Sequence, residues 1–528
     1  MLALSLGLWG PALAQDDAFR FDVRAYEVQG NTALTPAAIE AALAPVRGPK
    51  QRFEDVLRAV DLLQAAYQQA GFATVRVALP EQDVMNGVVR LVVTEPRLVA
   101  LRAEEAPSGQ PLAWTSQRIQ HLLPALRLGA SPNIPAIDAA VRMANAKPAR
   151  VLAVGLAATG RDNGVEAIVK VRQGRTRGNS VRLDNSGTVS SGRSRLSWLW
   201  QDSQLSPRDD ALTLQATTSP ARPKHTQSLA TFYQLPNYRQ RLNWTLTAAW
   251  SNTNATPVAT DVGLLRFSGR SHLLGLRLSH VLKPHKTWEH QWFVALEHRS
   301  YFNACSLGRY GETGCLAGNV DYTLHPVTMG YAAQRQGPQW SASTQWGVSA
   351  NVPMGSRGST ATLQSTRAGA QANYVVLRGQ VEAQRQLRSA DWRLHGALRL
   401  QVSPYALTAP AQFTMGGAHS VRGYPSNAVT ADSGGQASLE LRHSVKAPWQ
   451  QRLGEVQVLA FVDAGHSTRR HVLPGERRQR SLASWGLGWR SQSRSGWRTE
   501  VDLARAQLAS GTVSRGDWRA HAAVTKTW

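Results

Sequence analysis

After its N-terminus the chain lacks any run of about eighteen apolar residues, which excludes an α-helical membrane protein. It does not exclude a membrane-spanning β-barrel, whose alternating strands leave the average polar; the mean hydropathy is -0.30. Cysteine is nearly absent. The two present, Cys305 and Cys315, lie in FNACSLGRYGETGCLAG. With no further cysteine and no histidine in that loop, a metal site has no ligand set, and the pair reads as a disulfide closing a surface loop of an exported chain. Acidic residues are outnumbered, 35 against 59 Lys and Arg, for a net charge of +24. In a cytosolic protein that excess would suggest nucleic acid. Here the arginines are scattered through alternating segments and form no RNA-binding signature, so nucleic acid is not expected. A cationic lumen, or contact with the phosphates of an outer-leaflet lipid such as lipopolysaccharide, accounts for them equally well. No nucleotide motif occurs, and neither cofactor nor metal is implied.

At 528 residues the chain is too long for one ordinary soluble domain and suits several domains or one very large barrel. MLALSLGLWGPALAQDD reads as a secretory signal over 1–14, with a short apolar core, the small-x-small site Ala12-Leu13-Ala14 and Gln15 as first mature residue. No basic residue precedes that core.

Residues 20–97 carry the order β-α-α-β-β. Thr35 is placed to cap a helix with Pro36 at its first position. Phe53, Val56, Leu57, Val60, Leu63 and Tyr67 recur at helical spacing, and Gly71 ends that helix. ATVRVALPEQ and GVVRLVVTEP follow as two strands. Residues 98–173 repeat the order: LVALRAEE, the helical TSQRIQHLLPAL and IPAIDAAVRMANA, then ARVLAVGLAATG and GVEAIVKVRQ.

From 175 to 528 helical periodicity disappears. RLNWTLTAAW sets Leu242, Trp244, Leu246, Ala248 and Trp250 against Asn243, Thr245 and Thr247. DWRLHGALRLQV and WRTEVDL alternate likewise, with charged residues on the polar face, as a lipid-facing wall around a watery lumen requires. Closure follows, because open strand edges cannot exist in hydrocarbon. Some 350 residues at roughly 22 per strand and connection give about sixteen antiparallel strands. The chain stops at WRAHAAVTKTW, an alternating strand ending in Trp528. Such an ending resembles the signal by which bacterial outer-membrane barrels are recognised for assembly.

One stretch stands apart. FTMGGAHSVRGYPSNAVTADSGGQASLELRHS frames Val421, Arg422, Gly423 and Tyr424 with glycine pairs, and FVDAG, with Phe461, Asp463 and Gly465, follows about forty residues later. From residue types alone, a surface-loop arginine and a strand aspartate that never meet is an open alternative. His419-Ser420 suggests a nucleophile and base, but adjacent residues on an extended loop point apart, so no enzyme is expected.

These features together resemble the Omp85 superfamily, whose β-α-α-β-β units are called POTRA domains. VQGNT, AYQQAGFATVRVALPEQDVMNGVVRLVV, DNSGTVSSGRSRLSW, MGGAHSVRGY and FVDAG resemble its two-partner secretion branch, the TpsB transporters of haemolysin-activator and filamentous-haemagglutinin type. The resemblance implies POTRA domains in the periplasm, a barrel in the outer membrane, and a loop, about 413–436, folded into the lumen. It implies that Arg422 on this loop contacts Asp463, the planar guanidinium fork suiting a carboxylate. Gly416, Gly417 and Gly423 let the tip turn, and Tyr424 packs beside the arginine. The implied function is export of one large unfolded exoprotein of TpsA type (haemolysin, adhesin or contact-dependent toxin), captured by the POTRA domains. Barrel assembly machinery is implied in biogenesis; assembly or insertion of other barrels, the wider superfamily's role, is the alternative. Some members carry an N-terminal plug helix; with about six residues between Gln15 and the first strand, one is not expected here, and the inward loop would be the main obstruction.

Overall fold

The computed structural model describes residues 20–528 except 85, 106–113, 148, 161–162, 261–262, 286 and 447–453. The segment read as a signal, including Ala12-Leu13-Ala14 and Gln15, lies outside the described residues. The chain divides into two compact units, Met1–Gly174 and Arg175–Trp528.

In the first unit, Ala25–Gln29 pairs parallel with Val88–Thr94, which pairs antiparallel with Arg76–Ala78. Helices Pro36–Leu43 and Phe53–Gln69 accompany this sheet. Thr35 accepts from the Ala38 N–H at 3.3 Å and Pro36 takes the first helical position, so the first helix starts where its cap chemistry dictates. The second helix buries Val56, Ala59, Leu63 and Tyr67. Phe53 and Leu57, expected on that face, are 59% and 47% exposed. At about 100° per residue Phe53 lies roughly 40° and Leu57 roughly 80° beyond Tyr67 at the edge of the buried stripe, so both turn to the surface. A further strand, Gly48–Arg52, pairs with Arg20–Val23. Its sequence, GPKQR, has no apolar alternation to announce it, and the Asp22 carboxylate receives the Lys50 N–H at 2.9 Å.

The second repeat has the same plan. Arg97–Glu105 lies parallel to Gly164–Gln173, which pairs antiparallel with Arg150–Ala158; the helices are Ser116–Leu122 and Ile134–Asn145. Asn133 fastens it to the first repeat. Its Oδ1 caps the Ala136 N–H at 3.1 Å while its Nδ2 donates to the Ala70 carbonyl at 2.9 Å.

The second unit is a closed antiparallel barrel of sixteen strands. Two short segments, Val258–Thr260 and Tyr322–Leu324, pair as continuations of the fifth and eighth strands. The first strand, Arg177–Asp184, meets the last, Trp518–Thr527, from Ser180↔Thr527 to Asp184↔Ala523. Alternation decides which side chains face out. Leu274, Leu276, Leu296, Met329, Val348, Leu439 and Leu487 are exposed on the outer wall. Such a continuous band would be unfavourable in water and is the requirement in lipid. Trp288, Trp340, Trp392 and Trp497 open ascending strands, so they gird the end where the chain enters the barrel. Turns at that end are short, such as 238–241 and 493–496. Those at the far end are long: 308–321, 352–374 and 403–432.

Candidate functional site

The longest far-end loop, 403–432, turns into the lumen. It forms a small hairpin, Phe413–Met415 against Val429–Ala431, with Val421–Tyr424 near its tip. The loop boundary expected near 436 falls earlier, because Ser433–Val445 is already barrel wall paired on both sides. Gly416, Gly417 and Gly423 have φ of +102°, +107° and +91°, which a side chain would oppose. At Gly416 an added Cβ would also lie 2.5 Å from the Pro425 carbonyl oxygen.

The tip brings Arg422 and Asp463 together. Nε donates to Oδ2 at 2.7 Å and Nη2 to Oδ1 at 2.8 Å, a two-point fork, and the Arg422 backbone N–H adds a bond at 3.1 Å. Strand register supplies the rest of the socket. Ser438 stands opposite Asp463 and Glu440 opposite Phe461, so two successive lumen positions on each of two adjacent strands converge on one guanidinium. Glu440 accepts from Nη1 at 2.7 Å; Ser438 accepts from Nη2 at 3.1 Å and donates to Asp463 at 2.6 Å. The Phe461 ring centre lies 3.4 Å from the guanidinium carbon. Asp502 comes within 3.7 Å of Nη1. Arg442 holds Glu440 at 2.6 Å and Arg490 holds Asp502 at 2.8 Å. Three arginines thus balance three carboxylates, and the Asp463 side chain is 0% exposed.

Tyr424 does other work than expected. The ring against the guanidinium is that of Phe461, while the fully buried Tyr424 sends its hydroxyl to the carbonyls of Ala483 at 2.9 Å and Leu508 at 2.7 Å. It packs with Phe413, Met415, Val421, Val429 and Leu482, joining loop to wall. Gly465 makes room for this cluster, since a Cβ there would sit 2.6 Å from Met415 Sδ. Ser420 donates to Gln436 at 2.5 Å and its neighbour His419 is exposed. A disulfide joins Cys305, at the far end of the strand Trp288–Leu307, to Cys315 in the loop that follows, with Cα atoms 5.8 Å apart.

Two cavities among the described residues adjoin the loop. One, about 390 Å³, adjoins the tip and is lined by Arg182, Arg442, Arg490, Arg498, Glu500 and His395. The other, about 690 Å³, adjoins the hairpin base and is lined by Arg277, Arg299, Arg378, Arg399 and Glu297. The lumen is therefore rich in arginine, but carboxylates such as Asp184, Glu382 and Glu500 face the same cavities and offset most of that charge. Sequence reasoning named Arg422 and Asp463 but missed Glu440, Ser438 and Asp502. Counting by two along each strand from Asp463 and from its register partners would have found them.

Comparison with known proteins places these features. Residues 166–491 match the family described as haemolysin secretion/activation protein ShlB/FhaC/HecB, and residues 21–96 match the ShlB-type POTRA domain. The outer membrane transporter CdiB of Escherichia coli is 24% identical over 458 residues, covering 84% of this chain and 72% of the relative. The solved structure of CdiB from Escherichia coli aligns with a TM-score of 0.78 at 19% identity, over 99% of this chain and 93% of that one. CdiB from Acinetobacter baumannii aligns at 0.74 and 16% identity, over 96% and 90%.

Proposed function

The chain belongs to the haemolysin secretion/activation family ShlB/FhaC/HecB, two-partner secretion transporters of the outer membrane with periplasmic POTRA domains, and from that premise we propose that it exports one large exoprotein in unfolded form. The observation that carries this reading is the inward hairpin, which fills part of a closed barrel yet is moored at its tip by a single ion-paired arginine. A permanent plug needs no such point of release.

The cargo is captured by the POTRA domains in the periplasm. Both three-stranded sheets support this by ending in edge strands, Ala25–Gln29 and Arg76–Ala78 in one, Arg97–Glu105 and Arg150–Ala158 in the other. An extended chain can add to such an edge through backbone hydrogen bonds. Folding of the emerged cargo at the surface supplies the direction of transport, as no nucleotide is used. We further infer that the protein is not an enzyme; in support, Ser420, the nucleophile considered beside the motif, donates to Gln436 and not to its neighbour His419. Its outer wall meets outer-leaflet lipid, including lipopolysaccharide. Arg266 and Arg270, exposed on the far side of Leu274 and Leu276 along one strand, support that contact. Trp528 at the end of the last strand supports handling by the barrel assembly machinery during biogenesis.

The test is a comparison of culture supernatants and cell surfaces with and without the protein. One specific large polypeptide is expected to vanish from the surface and supernatant. A general fall in outer-membrane barrels, with no single secreted species lost, would instead support the assembly role.

A further inference from the structure

A second ion pair, outside the motif, ties three surface loops together. The loop 352–374 carries a short helix, Thr360–Thr366, which ends on Arg367. Arg367 forks onto Asp432 with Nη1–Oδ1 and Nη2–Oδ2 both at 2.7 Å. The same two nitrogens donate to the carbonyls of Leu407 at 2.5 Å and Arg470 at 3.0 Å. Asp432 accepts the N–H groups of those same residues, Leu407 at 2.8 Å and Arg470 at 2.6 Å. The pair therefore satisfies both backbone groups of one residue on each flanking loop, as a strand inserted between them would. Asp432 is 0% exposed and the Arg367 side chain 15%.

Asp432 immediately follows the inner hairpin strand Val429–Ala431, so this pair moors the hairpin at its base. Leu363 and Leu407 are fully buried with Tyr322, Leu324 and Tyr374 in one apolar cluster that packs the loop 352–374 against the loop 403–432. None of the bonds of Arg367 shares a residue with those of Arg422.

We propose that Arg367 is a second positioning residue for transport. Through Asp432 it holds the base of the inward hairpin and keeps the loop 352–374 packed against it, separately from the Arg422 latch at the tip. This rests on the transport reading for its purpose. Its geometry has a consequence that needs no cargo: losing the base pair uncovers the apolar cluster, whereas losing the tip pair does not.

The test uses the full-length protein in intact cells, with Leu363→Cys as reporter. The only two native cysteines are joined to each other, so a membrane-impermeant maleimide without reductant reads the reporter alone. Labelling is expected to be slow in the reporter itself. Arg367→Ala or Asp432→Asn should accelerate it about tenfold or more, the scale set by leaving one member of a buried pair unmatched. Arg422→Ala should leave it within about twofold, as sites without shared partners act independently. Arg367→Lys keeps the charge but not the fork and should fall between; it decides the matter if Arg367→Ala does not insert. Heat-modifiable barrel levels are measured in every strain. Unchanged labelling in Arg367→Lys and Asp432→Asn at normal barrel level overturns the proposal, as does equal acceleration by Arg422→Ala. Loss of the transport reading would show separately, as secretion unaffected by deleting the whole gene.

Discussion

Substituting Arg422 by alanine removes the centre of a neutral cluster and leaves three carboxylates facing two arginines. Glu440 keeps Arg442 and Asp502 keeps Arg490, so the stranded charge is Asp463. That side chain is 0% exposed and retains the Ser438 hydroxyl at 2.6 Å and one backbone N–H. In a water-filled lumen the loss would be about 0–1 kcal/mol. In this socket, capped by Phe461, the figure for breaking a buried pair applies, about 3–5 kcal/mol. At 1.4 kcal/mol per factor of ten, the moored state falls roughly a hundredfold to a few thousandfold against alternatives. The barrel itself closes through pairing that does not involve Arg422, so insertion should persist. Arg422→Lys sharpens the test. An ammonium is a point charge and cannot bridge Asp463, Glu440 and Ser438 in one plane, so it should lose about 1.5–3 kcal/mol of charge-assisted bonding. The assay is secretion of the cargo with outer-membrane barrel level measured in parallel. Expected is a large fall for Arg422→Ala and Asp463→Ala and a smaller one for Arg422→Lys, all at unchanged barrel level. Normal secretion by both alanine variants would refute the latch.

The protein should fractionate with the outer membrane and migrate differently when heated before electrophoresis; recovery as a soluble periplasmic monomer would contradict the barrel. A thiol probe on intact cells should label Cys305 and Cys315 only after reduction. Secretion should survive Cys→Ser at both, since a bridge of sequence separation 10 adds roughly 2–3 kcal/mol to a surface loop. Gly465→Ala places a methyl 2.6 Å from Met415 Sδ. The thioether can shift, so the cost should be about 1–3 kcal/mol, read as reduced secretion at normal barrel level.

What was legible in the sequence follows from period. A barrel strand buries nothing on its outer face, so Trp244, Leu246 and Trp250 declare themselves by alternation, and the count of sixteen follows from length. The helix caps at Thr35 and Gly71 were legible because they are local chemistry. The rest depends on what lies opposite. Phe53 and Leu57 carry the right spacing, yet both fall just outside the stripe that is buried. Gly48–Arg52 becomes a strand only because Arg20–Val23 offers it an edge. In the site, Arg422 and Asp463 are marked by their motifs, whereas Glu440 and Asp502 look like ordinary polar-face residues until register brings them inward. Arg367 and Asp432 carry no local signal at all. Their pairing is set by three loops whose paths no single segment encodes.

The choice of ion pairs at both ends of the hairpin has a physical logic that apolar packing alone would not supply. A buried pair adds little net stability over an apolar substitute, because desolvation offsets the attraction. Removing one partner while the other stays buried is far more costly, so the pair fixes position sharply. When the hairpin swings away Arg422 regains its hydration and water reaches the wall carboxylates it leaves, and the lumen beside Arg422 already holds a cavity of about 390 Å³ lined by charged side chains. A purely apolar tip of equal size would have to expose its whole surface with no such return. The apolar cluster around Tyr424, Met415 and Val421 then sets how long the hairpin stays, while the arginines set where it sits. A transport loop needs both properties: one defined resting place, and a route out of it that does not require breaking the barrel wall.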